Sequence, residues 1–260
     1  MATVAELRKG LAATTVPPDI AKALLKGASS LWLSSDSAAQ LAGDLALCHP
    51  PLKRNEVRAR AVGGDDEWRL TVVAHDRKGL LADTAAILSG DDFCIQGASA
   101  TTWEALDLAL HSITMAGPVP SEEKLDEIGA TLRAASRGTR PSLPFTPIGR
   151  AFVRHTGSAN GDAMISVVAP DQKGLLATVC RFFSDAGVSI QAAWITGEGE
   201  ANDVFVVDGR VDVAALEQQL TLDDHSIQAV VGSMVTDARK AGEAVVRGGA
   251  ELLGRLLKRD

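Results

Sequence analysis

Leu70-Thr71-Val72-Val73-Ala74-His75-Asp76-Arg77-Lys78-Gly79-Leu80-Leu81-Ala82 and Ile165-Ser166-Val167-Val168-Ala169-Pro170-Asp171-Gln172-Lys173-Gly174-Leu175-Leu176-Ala177 are one stretch written twice, 95 residues apart. At that shift the match runs on without a gap through Ser89 and Ser184, Ile95-Gln96 and Ile190-Gln191, Ala98 and Ala193, and Thr101 and Thr196. After a slip of one residue, Glu104-Ala105 and Asp107 fall over Glu200-Ala201 and Asp203. Self-similarity at a fixed period marks a repeated structural unit, so the chain reads as two copies of one module.

Each copy opens on a β-branched run, Leu70 to Ala74 or Ile165 to Ala169, which predicts a strand ended by a polar turn. Apolar residues at helical spacing follow: Leu80, Leu81, Thr84, Ile87 and Leu88, matched by Leu175, Leu176, Val179, Phe182 and Phe183. Gly90 and Gly187 are suitable helix stops. Two more apolar runs then suggest a hairpin, Phe93 to Thr102 with Ala105 to Met115, and Val188 to Thr196 with Asn202 to Val207. A second helix is expected over Ser121 to Ala134 and over Val213 to Leu222. Short strand-like runs precede each copy, Glu56 to Val62 before Gly63-Gly64 and Ala151 to Thr156 before Gly157. A hairpin from each would set it at the sheet edge beside the first strand.

The fold class is therefore α+β: two ferredoxin-like βαββα domains, each with an extra edge strand, antiparallel four-stranded sheets and helices on one face. The expected layout is a helical N-terminal region over 1–55, one module over 56–136, a proline-bearing linker over 137–149, a second module over 150–233 and an amphipathic helix over 234–260. Val4 to Ala12, Pro18 to Lys26 and Ser37 to Leu47 suit short N-terminal helices, with Asp19 and Ser35 or Asp36 as entry signals. In the tail, Ala238, Ala241, Val245, Leu252 and Leu256 recur at helical spacing, which suits packing on the protein itself or in a homodimer.

Composition excludes several classes. The net charge of -7 repels phosphate backbones, which argues against nucleic acid as a partner. Neither a membrane-length apolar run nor a secretion signal is evident, so a cytoplasmic location and no membrane partner are expected. Cys48, Cys94 and Cys180 lack CxxC spacing, and the five histidines lack metal-ligand spacing, so no metal and no cofactor are expected. Without a nucleophile motif such as GxSxG, the chain reads as not an enzyme.

The two turns, each followed by a helix and then by Ile95-Gln96-Gly97-Ala98 or Ile190-Gln191-Ala192-Ala193, resemble ACT domains, in particular the tandem pair at the C-terminal end of bacterial PII uridylyltransferases. The resemblance covers about residues 56 to 135 and 150 to 222. It implies a regulatory sensor, most often of an amino acid, with ligand held between paired units. The nucleotidyltransferase and phosphohydrolase signatures of those enzymes are not found in this sequence. One departure is that Lys78 and Lys173 stand where the family's turn usually has proline, which makes the turn less rigid. These lysines read either as solvated charges or as ligands of a carboxylate.

The chemistry of the turn supports the same reading. A helix start offers N–H groups without partners and the positive end of the peptide dipoles, so it can hold a carboxylate. Gly79 and Gly174 let a ligand approach the main chain, with Leu80 and Leu175 opening the helix. Asp76 and Asp171 can pair with an ammonium group. Ile95, Gln96, Ile190 and Gln191 are second-tier candidates, the glutamines because an amide both donates and accepts. The plainer alternative makes each Asp an N-cap and each Gly a geometric need. At the level of function, the chain is thus a small-molecule-binding regulator, expected to be a homo-oligomer with a protein target. The alternative is a ligand-independent dimerisation and interaction module.

Overall fold

A computed structural model describes residues 2–91, 93–143, 150–159 and 162–221. The expected helix over 234–260 and part of the linker lie outside the described residues. Four N-terminal helices come first: α1 (Val4–Leu11), α2 (Pro18–Gly27), α3 (Ser30–Leu33) and α4 (Ala38–Ala46). The first module is β1 (Val57–Gly63), β2 (Glu67–Ala74), α5 (Leu80–Gly90), β3 (Cys94–Trp103), β4 (Leu108–Ala116) and α6 (Glu122–Ala135). The second repeats it as β5 (Phe152–Ala159), β6 (Asp162–Pro170), α7 (Leu175–Asp185), β7 (Ser189–Glu198), β8 (Glu200–Asp208) and α8 (Val213–Leu220). The edge strands fall where the hairpin argument puts them, β1 antiparallel to β2 and β5 to β6. Gly157 is not at that second turn; it lies inside β5 at a register shift.

The two expected sheets are one. Strand order is β1-β2-β4-β3-β7-β8-β6-β5, closed in the middle by antiparallel pairing of β3 with β7. In that pairing Ser99 lies opposite Trp194, its own counterpart at the 95-residue shift, so a pseudo-twofold axis passes through the pair. Pairing the two inner strands satisfies backbone groups that two separate sheets would leave open at their edges. On one face α5 packs against α7, flanked by α6 over β1 and α8 over β5. A single apolar core runs under all four, from Leu70, Val72 and Ile113 to Ile165, Val167 and Phe205.

Helices on one face describes most of the second module, where only α3 reaches β7 from the other side, but not the first. Strand β6 alternates between buried and half-exposed residues, whereas β2 is buried at nearly every position although its sequence is almost the same. The reason is the N-terminal region, whose Leu7, Leu11, Leu24, Trp32, Leu41 and Leu45 cover Val73, Leu108 and Leu110 on the other side of the first module's sheet. Trp32 meets Trp103 edge to face at 5.9 Å, and the Trp103 indole donates to the Leu24 carbonyl at 2.7 Å.

A buried carboxylate fastens this layer. Asp44 on α4 is fully buried and accepts from Arg69 (2.7 Å), Arg60 (3.2 Å), Thr71 (2.7 Å) and Ser112 (2.9 Å) on the sheet. Asp36 takes the other arm of Arg69 at 2.7 Å. Asp36 and Ser35 are not the cap of α4: Ser37 accepts from Gln40 N–H. Nor does Asp19 cap α2, where Pro17 holds the cap position and Asp19 lies in the first turn. Removing one partner of a buried ion pair leaves uncompensated charge, so Asp44→Ala is expected to cost about 3 kcal/mol, the low end of the range because Arg60 is partly solvated. Urea denaturation followed by tryptophan fluorescence measures it; a loss of under about 0.5 kcal/mol would show the network to be idle.

Candidate functional site

Both repeated turns are built alike. Gly79 and Gly174 are left-handed, with φ of 82° and 85°, and hold the N-cap positions of α5 and α7 without a side-chain cap. Any other residue would be strained there, and a Cβ on Gly79 would also come within 2.7 Å of Ser184 Oγ. Because glycine occupies the cap, Asp76 and Asp171 are not the N-caps of α5 and α7. Their backbone N–H groups tie the turns to the neighbouring loops, Asp76 to Asp107 O at 3.3 Å and Asp171 to Gly199 O at 3.1 Å. Leu80 and Leu175 N–H are bonded to Arg77 O and Gln172 O, whereas Leu176 and Ala177 N–H find no acceptor among the described residues.

The seam between the modules gives each turn a wall from the other module, with unequal results. A cavity of about 280 Å³ adjoins the second turn. Asp171, Lys173, Gly174 and Leu175 line it together with Ile95, and so do Phe93 and Cys94 of the first module. This is just under the roughly 300 Å³ at which pockets for drug-sized ligands begin, and suits a metabolite of amino-acid size. At the first turn, Asp76, Lys78, Gly79, Leu80 and Ile190 surround only about 20 Å³, room for about one water.

Differences between matched residues explain the contrast. Thr102 donates to the Ile190 carbonyl at 3.3 Å and bridges the first cleft, but its counterpart is Gly197, which has nothing to bridge with. A Cβ at Gly197 would lie 2.8 Å from Asp171 Oδ2, so the glycine also makes room for that carboxylate. Lys78 reaches across to the Gly187 carbonyl at the end of α7 and latches the first cleft further. A buried arm joins the modules beside it, with Asp83 of α5 held at 2.8 Å by both Arg77 and Arg181 of α7.

Gln96 and Gln191 line neither cleft. Each falls at a bulge, the register shifting between Ile95 and Gly97 and between Ile190 and Ala192, which breaks the alternation of faces. Gln191 instead donates to Glu104 at 3.1 Å. The sequence also misplaces Asp203. Counted along the chain it falls over Asp107, but across the sheet Val72 pairs with His111 and Val167 with Asp203, so the structural counterpart of Asp203 is His111. Both are buried, and each lines its module's cleft. The readable signal was a charged residue on the inward register of an otherwise apolar strand, between Ala201 and Phe205.

The surroundings shift the acids and the imidazole. Burial raises Asp171 above the ordinary carboxylate range against the opposing pull of the Gln172 N–H, and burial raises Asp76 likewise, against the Arg77 N–H and helped by the charges of Asp107, Glu104 and Asp208. Burial lowers His111 to about 3, with Arg77 adding to the effect, so it is neutral near pH 7. Asp203 rises to about 7 through burial, with the Asp171 charge adding to it and a Thr196 N–H bond working against it.

A model of the ACT domain matches residues 163–224. The first module repeats the order of elements and the turn of those residues. Over 162 residues the chain is 31% identical to the bifunctional uridylyltransferase/uridylyl-removing enzyme of Phenylobacterium zucineum (strain HLK1), a match covering 54% of this chain and 17% of that enzyme. The chain thus spans about a sixth of the length of that relative. Aspartate kinase from Synechocystis aligns with a TM-score of 0.35 and 14% identity over 60% of this chain and 26% of that one. Among the described residues, no helix is long and apolar enough to cross a membrane.

The raised Asp203 carboxyl makes the stability of the second module depend on pH. Between the ordinary value of 3.8 and about 7, the folded chain keeps a proton on Asp203 that the unfolded chain gives up. This contribution to stability is therefore complete at low pH and is lost as pH rises to about 7. Asp203→Asn is expected to gain stability relative to the native chain between pH 5 and pH 8. Parallel urea curves at the two pH values test this, and equal differences at both would contradict it.

Proposed function

We propose that this chain is a non-enzymatic regulatory protein that binds one small zwitterionic metabolite, an amino acid, in the cleft between its two modules. The observation that carries this is the cavity of about 280 Å³ at the second turn, where the start of α7 and Asp171 face the same space. The free N–H groups and helix dipole suit a carboxylate, and Asp171 suits the ammonium. Both poles of an amino acid are then met at one turn, with Phe93, Ile95 and Leu176 for its apolar part. The likeness of half the chain to a stretch of a much longer bifunctional enzyme supports a regulatory role, as the family resemblance implies.

Both modules line the cleft, so a bound ligand acts on their mutual arrangement. A ligand that prefers one arrangement shifts the population by its difference in affinity, typically about 1 to 3 kcal/mol of coupling. A protein target and a homo-oligomer, both expected from the sequence, are where such a shift would be read out. The rival reading, a scaffold with empty turns, draws support from the filled cleft at Asp76, whereas the open cleft at Asp171 supports a ligand.

A thermal-shift screen of the full chain against the twenty amino acids tests the proposal. One or two are expected to raise the Tm with concentration, by about 2.7 kcal/mol of stabilisation at a hundred times the Kd. Asp171→Ala should abolish the rise and Asp76→Ala should leave it nearly intact. A flat screen would support the scaffold instead.

A further inference from the structure

Three carboxylates are buried among the described residues, and they differ in company. Asp44 is met by two arginines and two hydroxyls, and Asp83 by two arginines. Asp203 is only 1% exposed, yet among the described residues no cation pairs with it. Among the described residues its one hydrogen bond is from Thr196 N–H to Oδ1, at a long 3.4 Å, which leaves Oδ2 without a donor. A buried carboxylate is costly unless it is paired, so a lone one calls for a partner. Asp203 lines the open cavity, on the wall shared with Asp171. In the first module the same register position holds His111, whose ring occupies the cleft and meets Thr84 at 3.4 Å.

We propose that Asp203, together with Asp171, seats a protonated amine of the ligand, so that the cleft takes compounds bearing a cationic nitrogen and turns away those lacking one. This rests on the reading of the cavity as a ligand site and names the group that selects for it. The charged and titratable side chains around Asp203 are Asp171 and Lys173 from the turn, Cys94 from β3 and Cys180 from α7. The thiol of Cys180 is pushed well up by burial and by the Asp203 charge, so it stays neutral. Lys173 lines the rim of the cavity from the turn itself, while Asp203 lies on its floor in the sheet.

Binding then involves a proton. In the empty site near neutrality Asp203 carries a proton in part of the population, its carboxyl standing at about 7. A ligand arriving as R–NH₃⁺ takes the place of that proton, which leaves to solvent, so carboxylic acid plus ammonium becomes carboxylate–ammonium pair plus H⁺. Affinity therefore rises with pH across the titration of Asp203, by roughly tenfold between pH 6 and pH 8 for a group near 7.

The test uses calorimetry on the full chain with each of the twenty amino acids, and with the N-acetyl derivative of any that binds. The expected result is that the binding amino acid gains roughly tenfold in affinity from pH 6 to pH 8. Its N-acetyl derivative should fail to bind, and Asp203→Asn should weaken binding and abolish the pH dependence. Asparagine is close in shape and can still accept from Thr196, and circular dichroism checks that the variant folds. Equal binding by the N-acetyl derivative, or affinity in the native chain independent of pH, overturns the assignment of Asp203 while leaving the cavity a ligand site. Absence of binding by all twenty overturns the cavity reading and this inference with it.

Discussion

The pairing of β3 with β7 is the contact on which the rest of the molecule depends. Two modules of this topology, each standing alone, would present an inner strand with free N–H and C=O groups. Joined through Ser99 and Trp194 they form one eight-stranded sheet. That seam brings α5 and α7 into contact above it and makes the Asp83–Arg181 pair across the modules at 2.8 Å. It also sets the start of each inner strand against the turn of the opposite module. Neither cleft exists in one module by itself.

Symmetry of backbone does not carry over to the clefts, because a few side chains decide how much of each is filled. Threonine against glycine at positions 102 and 197 determines whether the strands are bridged. Histidine against aspartate at 111 and 203 determines whether the floor is occupied by a ring or by a short acid. Duplication has given two geometrically equivalent places with opposite fates, one packed like a core and one left open. The N-terminal layer breaks the symmetry again, covering the first module's sheet on the side where the second module's Trp194 remains 42% exposed.

Much of this could be read from the residues. The repeat, the strand and helix order, the edge placement of β1 and β5, and the glycine turns all follow from local pattern, since period, β-branching and turn chemistry act within a few residues. What stayed hidden depends on contacts distant in sequence. Nothing in Gly97 to Thr101 announces that this strand will pair with its own counterpart, and nothing in α4 announces that Asp44 will be buried under two arginines from the sheet. Gln96 and Gln191 misled because bulges shifted the register by one. Asp203 was hidden by the slip in chain alignment, which only cross-strand pairing through Val167 corrects.

The central claim is that the paired modules offer one open site and not two. Calorimetric counting of bound ligand per chain, using any amino acid that stabilises the protein and comparing the native chain with Gly197→Thr, tests it most directly. The account predicts one equivalent for the native chain and none for the variant, in which the added side chain displaces Asp171 and bridges the strand as Thr102 does in the first module. Two equivalents, or binding undiminished by threonine at 197, would contradict it.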